Sequence, residues 1–370
     1  MHHIHRSADF LAQLSSEVFA SLSRCDQRRT AEQFLRGMAV TPSRKTARNV
    51  ALCLGDPSAE QRFQHFIAHS RWDWEPVRAA LAGVVERYAP QLAYVAHPLV
   101  LRKAGKDSAG VHRRFVPELG QTVNGQFAYG LWHATATMAT PVDWHLELPG
   151  PERESPAAAF TSLASQRSGS PRPVVIDARH TSLPALLDGF SLARVPLLAR
   201  ISGAATVTAV EQSRRSTTSS PVSVHELLAW TRRLRRPVNP SVPQRTAATV
   251  QVRVPGTAMP RPASGPDGEP RPLTLIGEWD EARAGLSRCW LTDLPGSAPA
   301  LLRLAALLGE VTGQLAEVDG SGLRDYGGRS FSGWHRHMTM VSVTHAVRVL
   351  TGHDRPLLTP AEQQPLPLAM

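Results

Sequence analysis

One acidic side chain stands where a functional carboxylate is expected. Asp177 directly follows the apolar run 174–176, and a helical pattern begins near Leu183. Functional groups of open α/β sheets gather at the carboxyl ends of the strands, and a carboxylate there offers the oxygen ligands that hard divalent cations require. An aspartate in front of a helix also serves as a helix cap. Both interpretations of Asp177 stay open on these residues.

Basic residues suggest a second kind of chemistry, contact with phosphates. Lys and Arg together number 41 against 31 Asp and Glu, which gives 370 residues a net charge of +10. The cations are almost all arginine, which suits bidentate phosphate contacts. This balance favours a polyanionic partner, and DNA is the simplest one. Codon usage in a GC-rich genome would produce the same bias, so composition alone leaves the partner open.

The basic residues concentrate in an N-terminal segment and in the segment 201–260, which has eight arginines against Glu211 and Glu226. Arg336, between His335 and His337, and Lys103 stand apart from these groups. A solvated charged face is the alternative to DNA contact for the N-terminal group, and a buried polar network is the alternative for the 335–337 triplet. The predicted DNA-contacting residues are Arg28, Arg29, Arg36, Arg44, Lys45, Arg48, Lys103, Arg214, Arg215, Arg232, Arg233, Arg235, Arg236 and Arg336.

Several other classes of site and location find no support in the sequence. Three scattered cysteines, Cys25, Cys53 and Cys289, form neither a disulfide framework nor a zinc motif. Glycine-rich phosphate loops and cysteine–histidine pairs do not occur at workable spacings. No apolar run approaches the roughly 20 residues that span a bilayer, and the N-terminus lacks a signal-peptide core. We expect a cytoplasmic, nucleoid-associated protein without a bound cofactor.

Periodicity predicts the elements that position these residues. Apolar residues between Phe10 and Leu22 recur at helical spacing, and further helices are expected over 31–38 and 46–54. Strands are predicted near 92–96, 125–135 and 141–148. A strand at 174–177, a helix at 183–190 and a strand at 195–201 form a β-α-β order, which implies a parallel strand pair. In the C-terminal part, helices are predicted over 298–318 and 338–350.

Three stretches together resemble the DDE-superfamily transposases of bacterial insertion sequences. They are Phe63 to Arg78 with its Trp72-Asp73-Trp74 core, Ala93 to Gly105 followed by 110–115 and 123–126, and Gly322 to His337. The resemblance implies a mixed α/β fold, with a ribonuclease-H-like sheet flanked by helices, and it also implies dimerisation. The expected division is 1–90 as a helical DNA-binding domain, 91–201 and 274–350 as the two parts of the catalytic fold, 202–273 as a basic insertion, and 351–370 as a tail.

The resemblance also assigns the catalytic carboxylates. In that family three acids hold two divalent metals that cut and join DNA. Asp177 matches the second acid and Glu310 is the best match to the third, although the family arginine before it is missing and an ordinary helix glutamate is the alternative. The first acid falls on His97, beside Pro98, and imidazole does not suit magnesium. The matched site is therefore expected to be degenerate, with no metal.

Three functions remain open at this point. The first is a domesticated, catalytically inactive transposase-like protein that binds DNA, with regulation as one role. The second is an active transposase or endonuclease that uses Mg²⁺ and a substitute ligand for strand cleavage and transfer. The third is a protein-interaction scaffold that keeps only the fold.

Overall fold

A computed structural model describes residues 2–149, 172–210, 220–239, 242–257, 272–280 and 285–352. The chain forms two compact units, each assembled from separated segments. The first unit comprises Met1–Gln91, Pro98–Glu154 and Glu310–Pro365, and the second comprises Leu92–His97, Ser155–Gly309 and Leu366–Met370. The expected mixed α/β fold class is confirmed, since parallel strands, antiparallel strands and helices are all present. The five-part division of the chain stays a prediction.

The first unit begins with five helices, and two of them start at a residue whose side chain caps the helix. Thr46 accepts a hydrogen bond from the Asn49 amide at 3.2 Å, and Asp73 accepts one from the Glu75 amide at 3.0 Å. Such side-chain acceptors satisfy amides that a helix start leaves without partners. The helices are α1 (His2–Val18), α2 (Cys25–Val40), α3 (Ala47–Cys53), α4 (Ala59–Ala68) and α5 (Trp74–Tyr88).

Antiparallel strands form the sheet of the first unit. Strand β1 (Ala93–Arg102) passes from the second unit into the first at Pro98, and it is followed by β2 (Val111–Val116), β3 (Gln121–Ala134) and β4 (Ala139–Leu146). Strand β3 pairs with both β2 and β4. Gly125 lets the backbones approach, because a Cβ there would lie 2.5 Å from the Leu101 carbonyl oxygen.

The last helix forms the core of the first unit. Helix α9 (Phe331–Gly352) is buried at every position from 333 to 347, including several polar side chains. Helices α1, α2, α4 and α5 pack against it, and so does β4. A helix that is buried all round requires neighbours on every side. The N-terminal helices supply them, so they share one core with the C-terminal helix.

Parallel strands form the part of the second unit that carries Asp177. The first half of β1 pairs in parallel with β5 (Val174–Asp177), and β5 pairs in parallel with β6 (Leu197–Ile201). Helix α6 (Leu183–Leu192) connects β5 to β6 and buries Leu186 and Phe190. The predicted β-α-β order is thus confirmed.

The rest of the second unit is mainly antiparallel. Strand β6 pairs with β12 (Leu286–Thr292), which pairs with β11 (Leu273–Asp280), which in turn pairs with β10 (Val242–Arg253). Strands β7 (Thr206–Ala209), β8 (Val222–Ser223) and β9 (Arg236–Asn239) complete this sheet. The remaining helices are α7 (Val224–Ala229) and α8 (Ala298–Asp319), and α8 begins in the second unit and ends in the first.

No helix in the described part of the chain is long and apolar enough to cross a membrane.

Strands β2 and β11 were not expected from the sequence. The segment 202–273 was expected to be a basic insertion, and its described residues include four strands, β7 to β10.

Candidate functional site around Asp177

Three residues stand level with one another on the parallel strands of the second unit. Ala96 pairs with Ile176 in the β1–β5 register, so the next position on β1, His97, is level with Asp177. Asp177 in turn pairs with Arg200 on β6. Paired positions on neighbouring strands share one face of the sheet. The structure therefore brings together Asp177 and His97, the position that the resemblance gave to the first acid.

Arg179 binds the Asp177 carboxylate in a forked geometry. Its Nε donates to Oδ1 at 2.9 Å and to Oδ2 at 3.0 Å, and its Nη2 donates to Oδ2 at 2.8 Å. The Arg179 amide also donates to Oδ1 at 3.2 Å. Arg200 adds a second cation, with its Nη1 3.6 Å from Oδ2. Charge-assisted bonds of this kind are strong and fix orientation.

These contacts keep Asp177 ionised. Burial opposes the charged carboxylate, but hydrogen bonds from Arg179 and the charges of Arg179 and Arg200 outweigh it and hold the pKa of Asp177 below its ordinary value. Asp177 does not cap α6, because the N-cap position of that helix is Ser182. The carboxylate instead belongs to an ion cluster at the carboxyl end of β5.

This cluster does not fit a pair of magnesium ions. Both carboxylate oxygens of Asp177 already accept hydrogen bonds from a guanidinium, and a second guanidinium lies within ion-pair distance. A divalent cation at this carboxylate would meet two positive charges and would have to displace Arg179. Among the described residues, no group of three or more His, Cys, Asp or Glu side chains is arranged to hold a metal ion.

Glu310, the candidate third acid, lies on α8 in the first unit, whereas Asp177 lies in the second. Glu310 is half-buried, and its Oε1 accepts a hydrogen bond from Gln314 Nε2 at 3.2 Å. A pair one helical turn apart is ordinary helix-surface chemistry. The metal-binding role of Glu310 stays a prediction.

Most of the predicted DNA contacts that the structure describes lie on the surface. Arg235 is the half-buried exception in the 232–236 run, with its guanidinium 3.9 Å from the centre of the Trp279 ring. Arg214 and Arg215 lie outside the described residues. The exposed candidates are Arg28, Arg29, Arg36, Arg44, Arg48, Arg232, Arg233 and Arg236.

Two of the predicted contacts have charged groups that lie in the interior of the protein. Arg336 is 7% exposed and donates from Nε to the Trp72 carbonyl at 3.1 Å and from Nη1 to the Ile67 carbonyl at 3.3 Å. Lys45 is 4% exposed, and its Nζ donates to the Thr41 carbonyl. These cations serve the fold, since they satisfy carbonyls at helix ends and loops. Phosphate contacts by Arg336 and Lys45 stay predictions.

Lys103 is half-buried, and its Nζ donates to the Tyr326 carbonyl at 3.0 Å. Burial, together with the charge of Arg44, lowers the pKa of Lys103. Tyr326 and Arg44 belong to the first unit, as Lys103 does. A phosphate contact by Lys103 stays a prediction.

The first unit contains a buried polar network centred on Arg78, which sequence reasoning did not single out. Arg78 is 2% exposed, and its Nε donates to Thr339 Oγ1 at 2.8 Å. Its Nη1 donates to Asp143 Oδ1 at 2.8 Å and to the Trp144 carbonyl at 3.0 Å. Its Nη2 donates to the His335 carbonyl at 2.9 Å. One guanidinium thus links α5, β4 and α9.

The residues of the 335–337 triplet form part of this interior. His335 stacks on Trp74 with ring centres 4.8 Å apart, and His337 donates from Nε2 to the Gly322 carbonyl at 2.8 Å. Both imidazoles are almost fully buried. The structure thus places the triplet among buried polar groups, and a phosphate contact by this triplet stays a prediction.

Burial keeps three histidines of α9 neutral. Desolvation, with the charge of Arg78 and then of His145, lowers the pKa of His335 to about 2. Desolvation also lowers the pKa of His345 to about 4 and depresses that of His337. A neutral imidazole costs less to bury than a charged one, so these values follow from the packing of the helix.

Acidification is therefore expected to destabilise the protein. Below pH 6.5, the ordinary histidine value, the unfolded chain binds protons that the folded chain does not. The free energy of unfolding should then fall by up to about 1.4 kcal/mol per pH unit for each such histidine. For His345 the loss continues down to about pH 4, and for His335 to about pH 2.

Urea unfolding, followed by tryptophan fluorescence at about pH 7 and about pH 5, measures this loss of stability. Histidines of the unfolded chain take up protons between these two pH values. His335→Gln should show a shallower pH dependence than the wild type. His69→Gln, at an exposed position, is the matched control and should keep the full dependence. An unchanged dependence in His335→Gln would contradict the assignment.

A comparison with known protein families identifies one resemblance. A family model described as DDE superfamily endonuclease matches residues 17–186, which includes His97 and Asp177. No curated protein matches the chain. The matched range extends from α1 through the first residues of α6 and covers just under half of the sequence. The comparison thus supports a DDE superfamily endonuclease domain over residues 17–186.

Proposed function

We propose that this protein is a domesticated transposase homologue that binds DNA without cutting it and acts as a regulator. The observation that carries the proposal is the forked contact of Arg179 with both oxygens of Asp177. In DDE enzymes that carboxylate must be available to metal, because the metal pair stabilises the attacking and leaving oxygens. Here a guanidinium takes the place of the metal.

The neighbouring positions strengthen the proposal. His97, level with Asp177, brings an imidazole where a second carboxylate would be needed, and imidazole is a poor magnesium ligand. Arg200 adds positive charge on the other side of Asp177. The guanidinium groups of Arg179 and Arg200 both contact Asp177, which disfavours a divalent cation at the same carboxylate.

DNA binding is supported by the net charge of +10 and by exposed arginines. Arg232, Arg233 and Arg236 are exposed in the second unit, and Arg28, Arg29, Arg36 and Arg48 are exposed in the first. Arginine side chains on the surface can contact phosphates without reading sequence. Binding dominated by phosphate contacts releases counterions and therefore weakens steeply with salt.

The second candidate function is an active DDE endonuclease. The family match over 17–186 favours it, because members of this superfamily cut DNA. In that case Arg179 would have to swing away from Asp177 when metal and DNA bind, and another carboxylate would have to replace the first acid.

Mobility-shift titrations of double-stranded DNA over a range of salt concentrations test the proposal. We expect binding near about 50 mM salt and a loss of about a thousandfold or more by about 200 mM if six or more phosphates are contacted. Failure to bind DNA at the lower salt would overturn the proposal and would leave the interaction scaffold as the remaining hypothesis.

Incubation of supercoiled DNA with Mg²⁺ or Mn²⁺ separates the two candidates. The proposal predicts no strand cleavage by the wild type. Cleavage that disappears in Asp177→Ala would establish the endonuclease instead. Cleavage that persists in Asp177→Ala indicates a contaminating nuclease, so the Asp177→Ala preparation is the control for purity.

A further inference from the structure

Among the described residues, the most exposed aromatic side chain is that of Trp230, which follows α7 in the second unit. All eight tryptophans of the chain lie within those residues, and the other seven are buried or half-buried. Trp230 is 66% exposed, and Leu234, four residues further along, is 56% exposed. Aromatic rings usually serve cores or interfaces, so a large ring beside a second exposed apolar side chain indicates a surface that meets a partner.

The backbone that carries Trp230 is fixed to the second unit on both sides. Leu228 is fully buried, and the buried Thr231 hydroxyl donates to its carbonyl at 2.7 Å. Further along, the Arg235 guanidinium lies 3.9 Å from the centre of the Trp279 ring on β11. The exposed ring therefore stands on ordered backbone, which reduces the conformational entropy that a bound partner has to remove.

Positive charge accompanies Trp230 in the sequence. Residues 229–239, which we call the Trp230 segment, contain four arginines and no acidic residue. Arg232, Arg233 and Arg236 are exposed, and the first two lie on one short helical turn. Because a chain spans at most about 3.6 Å per residue, the Cα atoms of Trp230 and Arg233 are within about 11 Å of each other. One short ligand can thus contact the ring and the cations together.

An exposed ring among arginines suits single-stranded nucleic acid. Unpaired bases stack on aromatic side chains while the phosphates of the strand follow a basic surface. The bases of a duplex are stacked on one another and must leave that stack before a protein ring can reach their faces. An acidic peptide also complements the arginines, but it does not repeat a flat ring and a phosphate at regular spacing.

We propose that the Trp230 segment binds single-stranded DNA, with one base stacked on the indole ring of Trp230. Arg232, Arg233 and Arg236 contact the phosphates on either side of that base. The inference rests on the proposed DNA binding, and it adds the form of DNA that is held and the side chain that holds a base.

Fluorescence anisotropy of the full chain with a labelled thymidine oligonucleotide of about twelve nucleotides tests the proposal, since single-strand sites cover about 4–16 nucleotides. We expect Trp230→Ala to weaken binding of the single strand about tenfold or more, which is the usual size of one lost stacking contact. The same variant should bind a duplex of equal length within about twofold of the wild type. Equal losses for single strand and duplex, or no loss for the single strand, would overturn the proposal.

Further variants show whether stacking is the cause. Trp230→Phe keeps an aromatic ring and should retain most of the affinity, whereas Trp230→Leu keeps an apolar side chain without a ring and should bind as weakly as Trp230→Ala. Phe115→Ala, at a 57% exposed aromatic position of the first unit, is the matched control and should bind as the wild type does. Thermal melting checks that each variant is folded. Equal affinities of Trp230→Leu and Trp230→Phe would contradict stacking.

Intrinsic fluorescence gives a second measurement, made on the wild type. Trp230 is the exposed tryptophan, so it contributes the emission at the longest wavelengths. A base that stacks on the indole ring should quench this emission, and the quenching should saturate with the unlabelled single strand. The absence of quenching at saturating DNA would overturn the proposal.

The same titrations keep this inference apart from the proposed function. Duplex binding by the wild type without single-strand binding would refute this inference alone. No binding of either form would refute the proposed function as well. Sedimentation of the wild type and Trp230→Ala tests the remaining occupant, a second copy of this chain. Loss of a dimer in Trp230→Ala with unchanged single-strand binding would assign the segment to that contact and overturn the proposal.

Discussion

Replacement of Arg78 by methionine is expected to lower the free energy of unfolding by about 3–5 kcal/mol, the cost of breaking a buried ion pair by removing one partner. The change keeps much of the side-chain volume. It removes the ion pair between Arg78 and Asp143, and it removes the hydrogen bonds that Arg78 donates to two carbonyl oxygens and to the Thr339 hydroxyl. Few surface interactions approach this size.

Urea denaturation of both proteins, followed by tryptophan fluorescence, measures the change. Arg87→Met is the matched control, because Arg87 lies on the same helix and forms an exposed ion pair with Glu17. We expect the control to lose no more than about 1 kcal/mol. Equal stability of the two variants would show that the Arg78 network does not hold the first unit together.

Simultaneous replacement of Arg232, Arg233 and Arg236 by glutamine is expected to weaken DNA binding about tenfold or more at moderate salt. These side chains are exposed in the second unit, and Arg232 and Arg233 lie on one short helical turn. Each lost phosphate contact should also reduce the slope of log affinity against log salt by about 1, so the slope should fall by about 3.

The control must remove the same charge elsewhere. Arg71, Arg113 and Arg303 are exposed and were not predicted to contact DNA, so their replacement by glutamine changes the net charge equally. We expect this control to keep the wild-type slope. Equal losses in the two triple variants would mean that net charge, and not this arginine cluster, determines binding.

The sequence predicts the setting of Asp177 well because the signals there are local. A short apolar run that ends in an acid, followed by a helical pattern and a second apolar run, requires only neighbouring residues to be interpreted. The structure places β5, α6 and β6 in that order and pairs the strands in parallel.

The partners of Asp177 and the role of Arg78 could not be predicted in the same way. Arg200 meets Asp177 only through the register of two strands, which no local pattern fixes. Arginine is almost never fully buried unless it is paired. Arg78 is buried because it has such partners, but they are far away in sequence, so no local pattern indicates its burial. Arg179 is only two residues from Asp177 in the sequence, but its contact with the carboxylate required the structure.

Strands β2 and β11 were missed for a related reason. β2 carries His112, Arg113 and Arg114, and its exposed positions make it too polar to be recognised as a strand. β11 contains Gly277, which weakens the strand pattern, yet the position suits glycine because a Cβ there would lie 2.5 Å from the Trp279 ring.

Titration of the full chain with Mn²⁺, followed by electron paramagnetic resonance, tests the central claim most directly. The claim is that Arg179, and not metal, neutralises Asp177. The predicted result is that wild type and Asp177→Ala give the same binding curve, because no manganese is held by that carboxylate. A pair of ions bound by the wild type and lost in Asp177→Ala would contradict the claim.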